Sequence, residues 1–471
     1  MIETGGHIEM APDMQQLIRS DLAWHYRILP KSASENAFVF YVDNTVDQDN
    51  VREELTALLG VSVTLEGIEK ERIQRSLGRY YRNTGNEEER LSFDAKTDFV
   101  DRLIQEANKL GSSDIHIEIY SDKARIRIRI DGNLIQRFAV SKHDYPELVN
   151  KIKIRSNLDI SEKRLPQDGR IEYDDFDIRV SILPTLHGEK IVMRILGHDA
   201  SSISIDKVGF SPVEKRNYLE GIRKPNGIIL ISGPTGSGKT TTLYATLKLL
   251  NEEKRNVVTV EDPVEYTLEG INQVQLKESI GLTFASALRS FLRQDPDVIM
   301  LGEIRDGETA QMAIRAALTG HLVLSTIHTN SAWGTISRLI DMGVPPFLLA
   351  NTMNTSVAQR LVRKLCANCK TSNSLNPNDW PMGNESHQIP AEVMVPVGCD
   401  KCHYTGYKGR LALYEVIPID QQLALSIKRN DDHIDEKLKE RGINNLADKA
   451  YEVLISGETS LEEVYPLLSG F

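Results

Sequence analysis

Between an apolar run and a segment with regularly spaced leucines, the chain reads Gly233-Pro234-Thr235-Gly236-Ser237-Gly238-Lys239-Thr240. The preceding run, Gly227-Ile228-Ile229-Leu230-Ile231, has the length and composition of a buried strand. In the following segment Leu243, Leu247 and Leu250 share one face of a predicted helix. A glycine-rich loop between a strand and a helix that ends in Gly-Lys-Thr is the full pattern of a phosphate-binding loop.

The residues of this loop have the chemistry that a nucleoside triphosphate requires. Glycines allow backbone N–H groups to converge on phosphate oxygens, and the helix N-terminus adds partial positive charge. Lys239 is predicted to reach the β- and γ-phosphates, and the Thr240 hydroxyl is predicted to ligate Mg²⁺. The sequence therefore predicts an ATP site that uses the whole loop. An accidental glycine-rich turn is the alternative, and the strand and helix on either side argue against it.

Short apolar runs alternate with helical stretches beyond residue 216. Such runs are typical of strands buried on both faces of a parallel sheet, with helices as the crossovers. They are Gly227–Ile231, Asn256–Val260, Val298–Leu301 and Leu322–Thr326. An α/β domain is therefore predicted over 216–365.

Two of these strands end in carboxylates, in Val260-Glu261-Asp262-Pro263-Val264-Glu265 and in Leu301-Gly302-Glu303-Ile304-Arg305-Asp306. An acid at the end of a strand beside a phosphate loop can hold Mg²⁺ through water or polarise the attacking water. Glu261 and Glu303 are the candidates, and the sequence does not say which of them is the base. A polar strand terminus without a catalytic role is the alternative for each.

A third strand ends in His328 and Thr329, and His321 precedes it. At the end of that strand His328 is predicted to sense the γ-phosphate, although a lone histidine is as often structural. His321 is the weaker candidate.

The chain before residue 216 has a different pattern. Residues 1–90 are mixed and polar, and the charged segment 82–90 is predicted to be a linker. Alternating runs at 115–119 and 125–130 predict half-buried strands, and Asp131-Gly132 predicts a hairpin turn. We therefore expect a small α+β domain at 91–197 and a connector at 198–215.

All four cysteines of the chain occur in two CxxC pairs, Cys366/Cys369 and Cys399/Cys402. Each pair can present two thiolates to one ion, and four thiolates satisfy tetrahedral Zn²⁺. A structural zinc site is predicted within a loop-rich segment, 366–405, and a redox role for the CxxC pairs is the competing interpretation. Residues 406–471 are predicted to be helical.

Composition limits the classes of function. The net charge of −11 argues weakly against a protein that coats nucleic acid. The chain has no apolar run long enough to span a membrane, and its first residues lack the pattern of a secretory signal. We expect a cytoplasmic protein.

Taken together, these motifs resemble those of the secretion and type IV pilus assembly ATPases, over roughly 91–471. The loop 233–240 corresponds to the Walker A motif of that family, 259–265 resembles its Asp box, 301–306 its Walker B motif and 321–329 its His box. The stretches 113–118 and 165–170 resemble the domain that precedes the ATPase domain in the family.

The resemblance implies a RecA-like P-loop domain preceded by a PAS-like α+β domain, with a small zinc-binding insertion and a helical C-terminus. It implies a homohexamer that drives an inner-membrane platform in the assembly of a pilus or pseudopilus, with residues 1–90 as the candidate docking region. It also implies arginines donated from the PAS-like domain to the γ-phosphate. Arg170 and Arg179 are the candidates, with Arg194 behind them, and a solvated arginine face is the alternative.

Two other functions remain open on the residues alone. One is a DNA-translocating or nucleic-acid-remodelling ATPase on a similar core, against which the acidic balance counts. The other is a non-catalytic nucleotide-binding scaffold, against which the presence of Lys239, Thr240, Glu261 and Glu303 counts. The sequence does not separate secretion from pilus assembly.

Overall fold

A computed structural model describes residues 8, 10, 14, 17–18, 20–34, 37–81, 99–197, 203–381, 387–431 and 434–470. The predicted linker at 82–90 lies outside the described residues. The chain divides into two compact units. The first comprises Met1–Leu196, Lys364–Leu375 and Pro390–Gly409, and the second comprises Gly197–Arg363, Asn376–Ile389 and Arg410–Phe471.

The N-terminal part of the first unit is a three-stranded sheet with helices. Its elements are α1 (Ser20–His25), β1 (Ile28–Ala33), β2 (Ala37–Asp43), α2 (Gln48–Leu59), β3 (Ser62–Ile68) and α3 (Lys70–Tyr80). The central strand β2 pairs antiparallel with β1 and parallel with β3. Phe40 and Val42 from β2 are fully buried together with Leu55 from α2 and Leu77 from α3. This region therefore has its own apolar core.

Residues 99–197 form an antiparallel sheet with two helices. The elements are α4 (Phe99–Lys109), β4 (Asp114–Ile119), β5 (Ala124–Ile130), β6 (Asn133–Val140), α5 (Tyr145–Arg155), β7 (Gln167–Glu172), β8 (Phe176–Thr185) and β9 (Gly188–Gly197). The strand order is β6-β5-β4-β9-β8-β7. Alternation places Ile115 and Ile117 of β4 inside, where they pack with Leu103 of α4 and Ile152 of α5. The predicted period-two pattern therefore corresponds to a sheet with one buried face.

The second unit is built on a seven-stranded sheet of order β12-β11-β13-β14-β10-β15-β18. Its strands are β10 (Gly227–Ser232), β11 (Val257–Glu261), β12 (Asn272–Gln275), β13 (Val298–Leu301), β14 (Leu322–Ile327), β15 (Met353–Leu365) and β18 (Tyr407–Pro418). The strand β10 pairs in parallel with β14 on one side and β15 on the other. The parallel pairs β11/β13 and β13/β14 bring the ends of these strands to the same edge as the end of β10.

Helices connect these strands. They are α6 (Pro212–Ile222), α7 (Lys239–Leu250), α8 (Phe284–Phe291), α9 (Gly307–Leu318), α10 (Gly334–Asp341) and α11 (Pro346–Thr352). The helix α6 starts with a capping box, in which Ser211 and Glu214 exchange hydrogen bonds, and it begins inside the segment expected to be a connector, 198–215. The strands of the sheet are buried along their length, as β10 and β14 illustrate. The mixed α/β fold class is confirmed.

The C-terminal part differs in one respect from the prediction. Helices α12 (Gln421–Arg429), α13 (Ile434–Glu440), α14 (Leu446–Ile455) and α15 (Leu461–Leu468) confirm a helical C-terminus from Gln421 onwards. Residues Tyr407–Pro418, which we expected to be helical, form the edge strand β18. The apolar run Leu413–Ile417 is too short for periodicity to separate a strand from a helix, and pairing in the sheet determines the outcome.

Between β15 and β18 the chain forms a small hairpin, β16 (Thr371–Ser374) and β17 (Glu392–Val395), paired antiparallel. The two CxxC pairs flank this hairpin in the sequence, one directly after β15 and the other shortly before β18.

Candidate active site

The glycines of the loop 233–238 have backbone conformations that favour glycine. φ is +148° at Gly233, +81° at Gly236 and +87° at Gly238. A Cβ atom on Gly233 would lie 2.4 Å from the carbonyl oxygen of Gln359, and a Cβ atom on Gly238 would lie 2.8 Å from Nε2 of the same residue. The loop therefore lies directly against β15, with no room for a side chain at these two positions.

Lys239 begins α7 and is 9% exposed. Its Nζ donates hydrogen bonds to the carbonyl oxygens of Gly233 (2.8 Å) and Pro234 (3.0 Å). Burial lowers the pKa of Lys239, the charge of Arg360 acts in the same direction, and the charge of Glu303 opposes both. The lysine is thus a buried cation whose hydrogen-bond acceptors are carbonyl groups of the loop itself.

Two further observations fit a bound triphosphate and its Mg²⁺. The hydroxyl of Ser237 is buried without a hydrogen-bond partner among the described residues, and an unsatisfied buried hydroxyl is costly. Thr240 is exposed at the start of α7, where its hydroxyl is accessible to a cation. The loop residues therefore fit the ligand that the sequence predicts for them.

Glu261 ends β11 and is 3% exposed. Its carboxylate accepts hydrogen bonds from the Tyr244 hydroxyl, from Thr259 Oγ1 (2.6 Å) and from Gln273 Nε2 (3.1 Å). Burial and the neighbouring Glu261 both raise the pKa of Tyr244, so its hydroxyl stays protonated as the donor. Because three donors hold this carboxylate, its orientation is fixed.

Glu303 follows β13 and lies beside two cationic or potentially cationic groups. One carboxylate oxygen contacts Arg305, and Nε2 of His328 lies 3.2 Å from the other. Burial raises the pKa of Glu303, but Arg305 and His328 outweigh burial and hold it below its usual value. The structure thus brings Glu303 and His328 together at the strand ends, with Glu303 ionised at neutral pH. His321, in contrast, contacts the Ala316 carbonyl oxygen at 2.8 Å.

The three arginine candidates differ in their surroundings. Arg170 on β7 contacts Asp177, and Arg194 on β9 donates to Asp114 Oδ1 at 2.9 Å. Arg179 on β8 is half-buried and has no ion pair within 4.0 Å among the residues that the structure describes.

The four cysteine sulfurs lie within 4.8 Å of one another. Sγ–Sγ distances are 3.8 Å for Cys366–Cys399, 3.8 Å for Cys369–Cys402 and 3.7 Å for Cys399–Cys402. These exceed the ~2.05 Å of a disulfide and match the edge of a ZnS₄ tetrahedron, about 3.8 Å for Zn–S bonds near 2.3 Å. Backbone N–H groups of Gly398 and Gly406 also donate to the sulfurs, as in a site built for thiolates. The donor set fits zinc.

Sequence reasoning missed the groups that support the site from other elements, namely Tyr244 of α7, Gln273 of β12, Gln359 and Arg360 of β15, and Glu415 of β18. Glu415 carried a usable signal, since it is an acidic residue inside the otherwise apolar run Leu413–Ile417. Arg360 carried none, because Gln359, Arg363 and Lys364 make its own stretch polar. Tyr244 and Gln273 carried none, because their contact with Glu261 depends on the pairing of elements distant in the chain.

The loop and its buried lysine have the form of a phosphate site, and Glu261 and Glu303 follow the neighbouring strands β11 and β13. Together they place the chain in the P-loop ATPase class. Within that class, the chain belongs to the family described as Type II/IV secretion system protein, whose profile matches residues 89–466. It is an ATP hydrolase of that family.

Curated relatives come from both secretion and pilus systems. The chain is 45% identical over 375 residues to the putative type II secretion system protein E of Escherichia coli K12, covering 79% of this chain and 76% of the relative. It is 45% identical over 390 residues to the type IV pilus assembly ATPase PilB of Pseudomonas aeruginosa, covering 78% and 66%. PilB of Myxococcus xanthus matches over 97% of this chain and 87% of its own length, at 37% identity.

A solved structure of the pilus retraction motor PilT with bound ADP is similar, with a TM-score of 0.54, 26% identity and coverage of 79% of this chain and 96% of that one. The ATPase DotB of Legionella pneumophila shares the fold, with a TM-score of 0.59 at 22% identity over 79% of this chain and 96% of its own. Among the described helices, none is both long and apolar enough to cross a membrane.

Proposed function

We propose that this chain works as a homohexamer and couples ATP hydrolysis to the assembly of a type II secretion pseudopilus or a type IV pilus, through an inner-membrane platform. The observation that carries the proposal is the phosphate loop with two carboxylates nearby, Glu261 held by neutral donors and Glu303 beside Arg305 and His328. The chain has the same sequence identity, 45%, to a type II secretion system protein E and to a type IV pilus assembly ATPase PilB. The DNA-translocating alternative finds no support among these relatives.

The site residues have separate roles in this proposal. Lys239 binds the β- and γ-phosphates, and Thr240 and the ionised Glu303 hold Mg²⁺, which neutralises charge on the phosphates. Glu261 orients the attacking water for in-line attack on the γ-phosphorus, since its own orientation is fixed by three donors. His328, beside Glu303, detects whether the γ-phosphate is present.

An arginine from the PAS-like domain of a neighbouring copy completes the site. Arg179 is the first choice, because Arg170 and Arg194 already have carboxylate partners. A guanidinium that is not neutralised by a carboxylate can stabilise the charge that develops on the phosphoryl oxygens. Arg170 and Arg194 remain the second choices.

Two further proposed roles concern stability and attachment. Cys366, Cys369, Cys399 and Cys402 hold a structural Zn²⁺, which fixes the hairpin β16–β17 to the ends of β15 and β18. Residues 1–90 dock the protein to the platform, so that it works in the cytoplasm at the inner membrane.

Mixing two inactive variants tests the ring and the shared site. Lys239→Ala and Arg179→Ala are each expected to lower ATPase activity at least about 100-fold. If Arg179 acts in a neighbouring copy, a random 1:1 mixture recovers about a quarter of the wild-type rate, the share of interfaces that carry neither change. Full inactivity of the mixture, together with a wild-type rate per chain that does not change on dilution to monomer, would overturn the shared site.

Secretion and pilus assembly are separated by complementation. The gene is expressed in a strain lacking its pilus assembly ATPase and in a strain lacking its secretion protein E, with surface pili and exported enzyme as the readouts. Rescue of one strain by the wild type, and not by Lys239→Ala, assigns the machine.

A further inference from the structure

Arg360 on β15 and Glu415 on β18 are ionisable side chains that are buried in the second unit. They are 7% and 4% exposed. Burying a charge is costly unless it is compensated by hydrogen bonds or by an opposite charge. The roles proposed above use neither residue, so their burial needs another explanation.

The guanidinium of Arg360 lies between the phosphate loop and the segment that follows β14. Nη1 donates to the carbonyl oxygen of Gln359 at 3.0 Å, and Nη2 donates to the carbonyl oxygen of Asn330 at 3.0 Å. A Cβ atom on Gly233 would lie 3.2 Å from Nη1. Since Asn330 is two residues beyond His328, Arg360 bonds to the chain just after the histidine-bearing strand while lying close to the first residue of the loop.

Other strands of the sheet hold the same segment, 330–332. The backbone N–H of Ala332 donates to the carboxyl group of Glu415. The carbonyl oxygen of Ala332 accepts from Ser356 Oγ of β15 at 2.6 Å, and that of Ser331 accepts from Ser232 Oγ of β10 at 3.3 Å. Three successive residues are therefore fixed by three strands, β10, β15 and β18.

The charge of Arg360 also reaches the phosphate site. Arg360 and Lys239 are both buried, both donate hydrogen bonds to carbonyl oxygens, and the charge of Arg360 lowers the pKa of Lys239. Among the described residues, neither cation has a carboxylate within 4.0 Å. Two neighbouring cations without a close carboxylate favour the binding of a multiply charged anion.

We propose that Arg360 is a positioning residue for ATP hydrolysis: its guanidinium fixes the segment 330–332, and His328 with it, against the phosphate loop, and its charge strengthens phosphate binding. Glu415 also holds the segment, through the backbone N–H of Ala332. This inference rests on the proposed function of Lys239 and His328. It assigns separate effects to the charge of Arg360 and to the planar fork of its guanidinium.

Two substitutions separate these effects. Arg360→Met removes both charge and fork, and we expect KM for ATP to rise and kcat to fall, each by roughly tenfold. Arg360→Lys keeps the charge but cannot bond both carbonyl oxygens with the same geometry. We expect it to restore KM to near the wild-type value while kcat stays low. Equal kinetics for the two variants, or wild-type kinetics for Arg360→Met, would overturn the proposal.

Arg363→Met is the matched control, on the same strand. Arg363 contacts Glu463 at 2.6 Å, away from the phosphate loop, so its loss is expected to lower the melting temperature with kcat and KM unchanged. If Arg360→Met acted only through a general loss of stability, the two variants would change in the same way, which would overturn the proposal.

Hydrogen exchange tests the positioning role without depending on ATPase activity. Peptides covering 328–334 are expected to exchange at least about threefold faster in Arg360→Met, and in Glu415→Ala, than in the wild type or in Arg363→Met. Unchanged exchange in Arg360→Met overturns the inference even if the wild type hydrolyses ATP. If exchange is faster in Arg360→Met but the wild type hydrolyses no ATP, the proposed function is rejected and only the structural link remains.

Discussion

Glu261 and Glu303 end neighbouring parallel strands, yet their surroundings differ. Three neutral donors hold Glu261 in a buried position, whereas Glu303 faces Arg305 and His328 and is partly accessible. A carboxylate held by neutral donors suits the orientation of a water molecule, and an ionised, accessible one suits a cation. The different roles proposed for these two glutamates therefore rest on their different neighbours.

Glutamine substitutions are expected to separate these roles. Glu261→Gln should lower kcat about 10²–10³-fold at saturating Mg²⁺, because it removes the group that orients the water. Glu303→Gln should instead raise the Mg²⁺ concentration needed for half-maximal rate about tenfold. ATPase rates measured over a Mg²⁺ titration check both. A Glu261→Gln enzyme that regains full rate with added Mg²⁺ would contradict the assignment.

Glu415 is expected to make stability depend on pH. Burial raises its pKa to about 7, with Asp435 and Asp448 acting in the same direction and Arg360 in the opposite one. The unfolded chain ionises near 4.5, so the stability that the neutral acid contributes is fully present below pH 4.5 and is lost as the pH rises through about 7.

Glu415→Gln removes this dependence, because the amide stays neutral and its oxygen still accepts from Ala332. Its advantage in unfolding free energy over the wild type should grow by about 1 kcal/mol between pH 6 and pH 8. Melting temperatures of both proteins at the two pH values provide the measurement. A constant difference would show that Glu415 does not titrate in this range.

At the scale of elements, the contact between the phosphate loop and β15 is a tight one. Gly233→Ala would place a methyl group 2.4 Å from the Gln359 carbonyl oxygen, at a φ of +148°. We expect a loss of stability of about 1–3 kcal/mol and at least tenfold weaker ADP binding. Calorimetry and a fluorescent ADP analogue measure the two effects.

Gly236→Ala is the control for this prediction. Its φ of +81° is also positive, but a Cβ atom there would meet no atom within 4 Å. It should therefore show only the backbone cost of about 1 kcal/mol. Equal effects from the two substitutions would mean that contact with β15 does not restrict the loop.

The same elements show what the sequence could predict. The loop from Gly233 to Thr240 and the strands beside it follow from local pattern, because the chemistry and the periodicity lie within a few consecutive residues. The strand β18 could not be predicted from local pattern, since its apolar run is short and its partner β15 ends over forty residues earlier. For the same reason Arg360 and Tyr244 could not be assigned to the site, because only the packing of elements distant in the chain determines their contacts there.

At the scale of the whole molecule, all cysteines of the chain belong to one cluster, so thiol chemistry reports on it directly. If zinc is bound, the native protein should release about one equivalent on mercurial titration and show no fast-reacting thiols beforehand. Cys399→Ser should lower the melting temperature by roughly 5 °C or more. Four freely reactive thiols in freshly purified native protein, without metal, would contradict the site.

The division of the chain into two units limits how the gene can be truncated or recombined with related genes. The cysteine cluster is encoded between two strands of the second unit, yet it belongs to the first. Each unit is therefore assembled from three separate stretches of the gene. No single cut in the coding sequence therefore yields either unit whole. Recombination at the end of β9 would combine residues 1–196 of one parent with the cysteine cluster of the other parent, so that the first unit would come from two parents. Exchange between members of the family should then preserve function only when the two parents have compatible clusters, so the chain is expected to evolve as one piece.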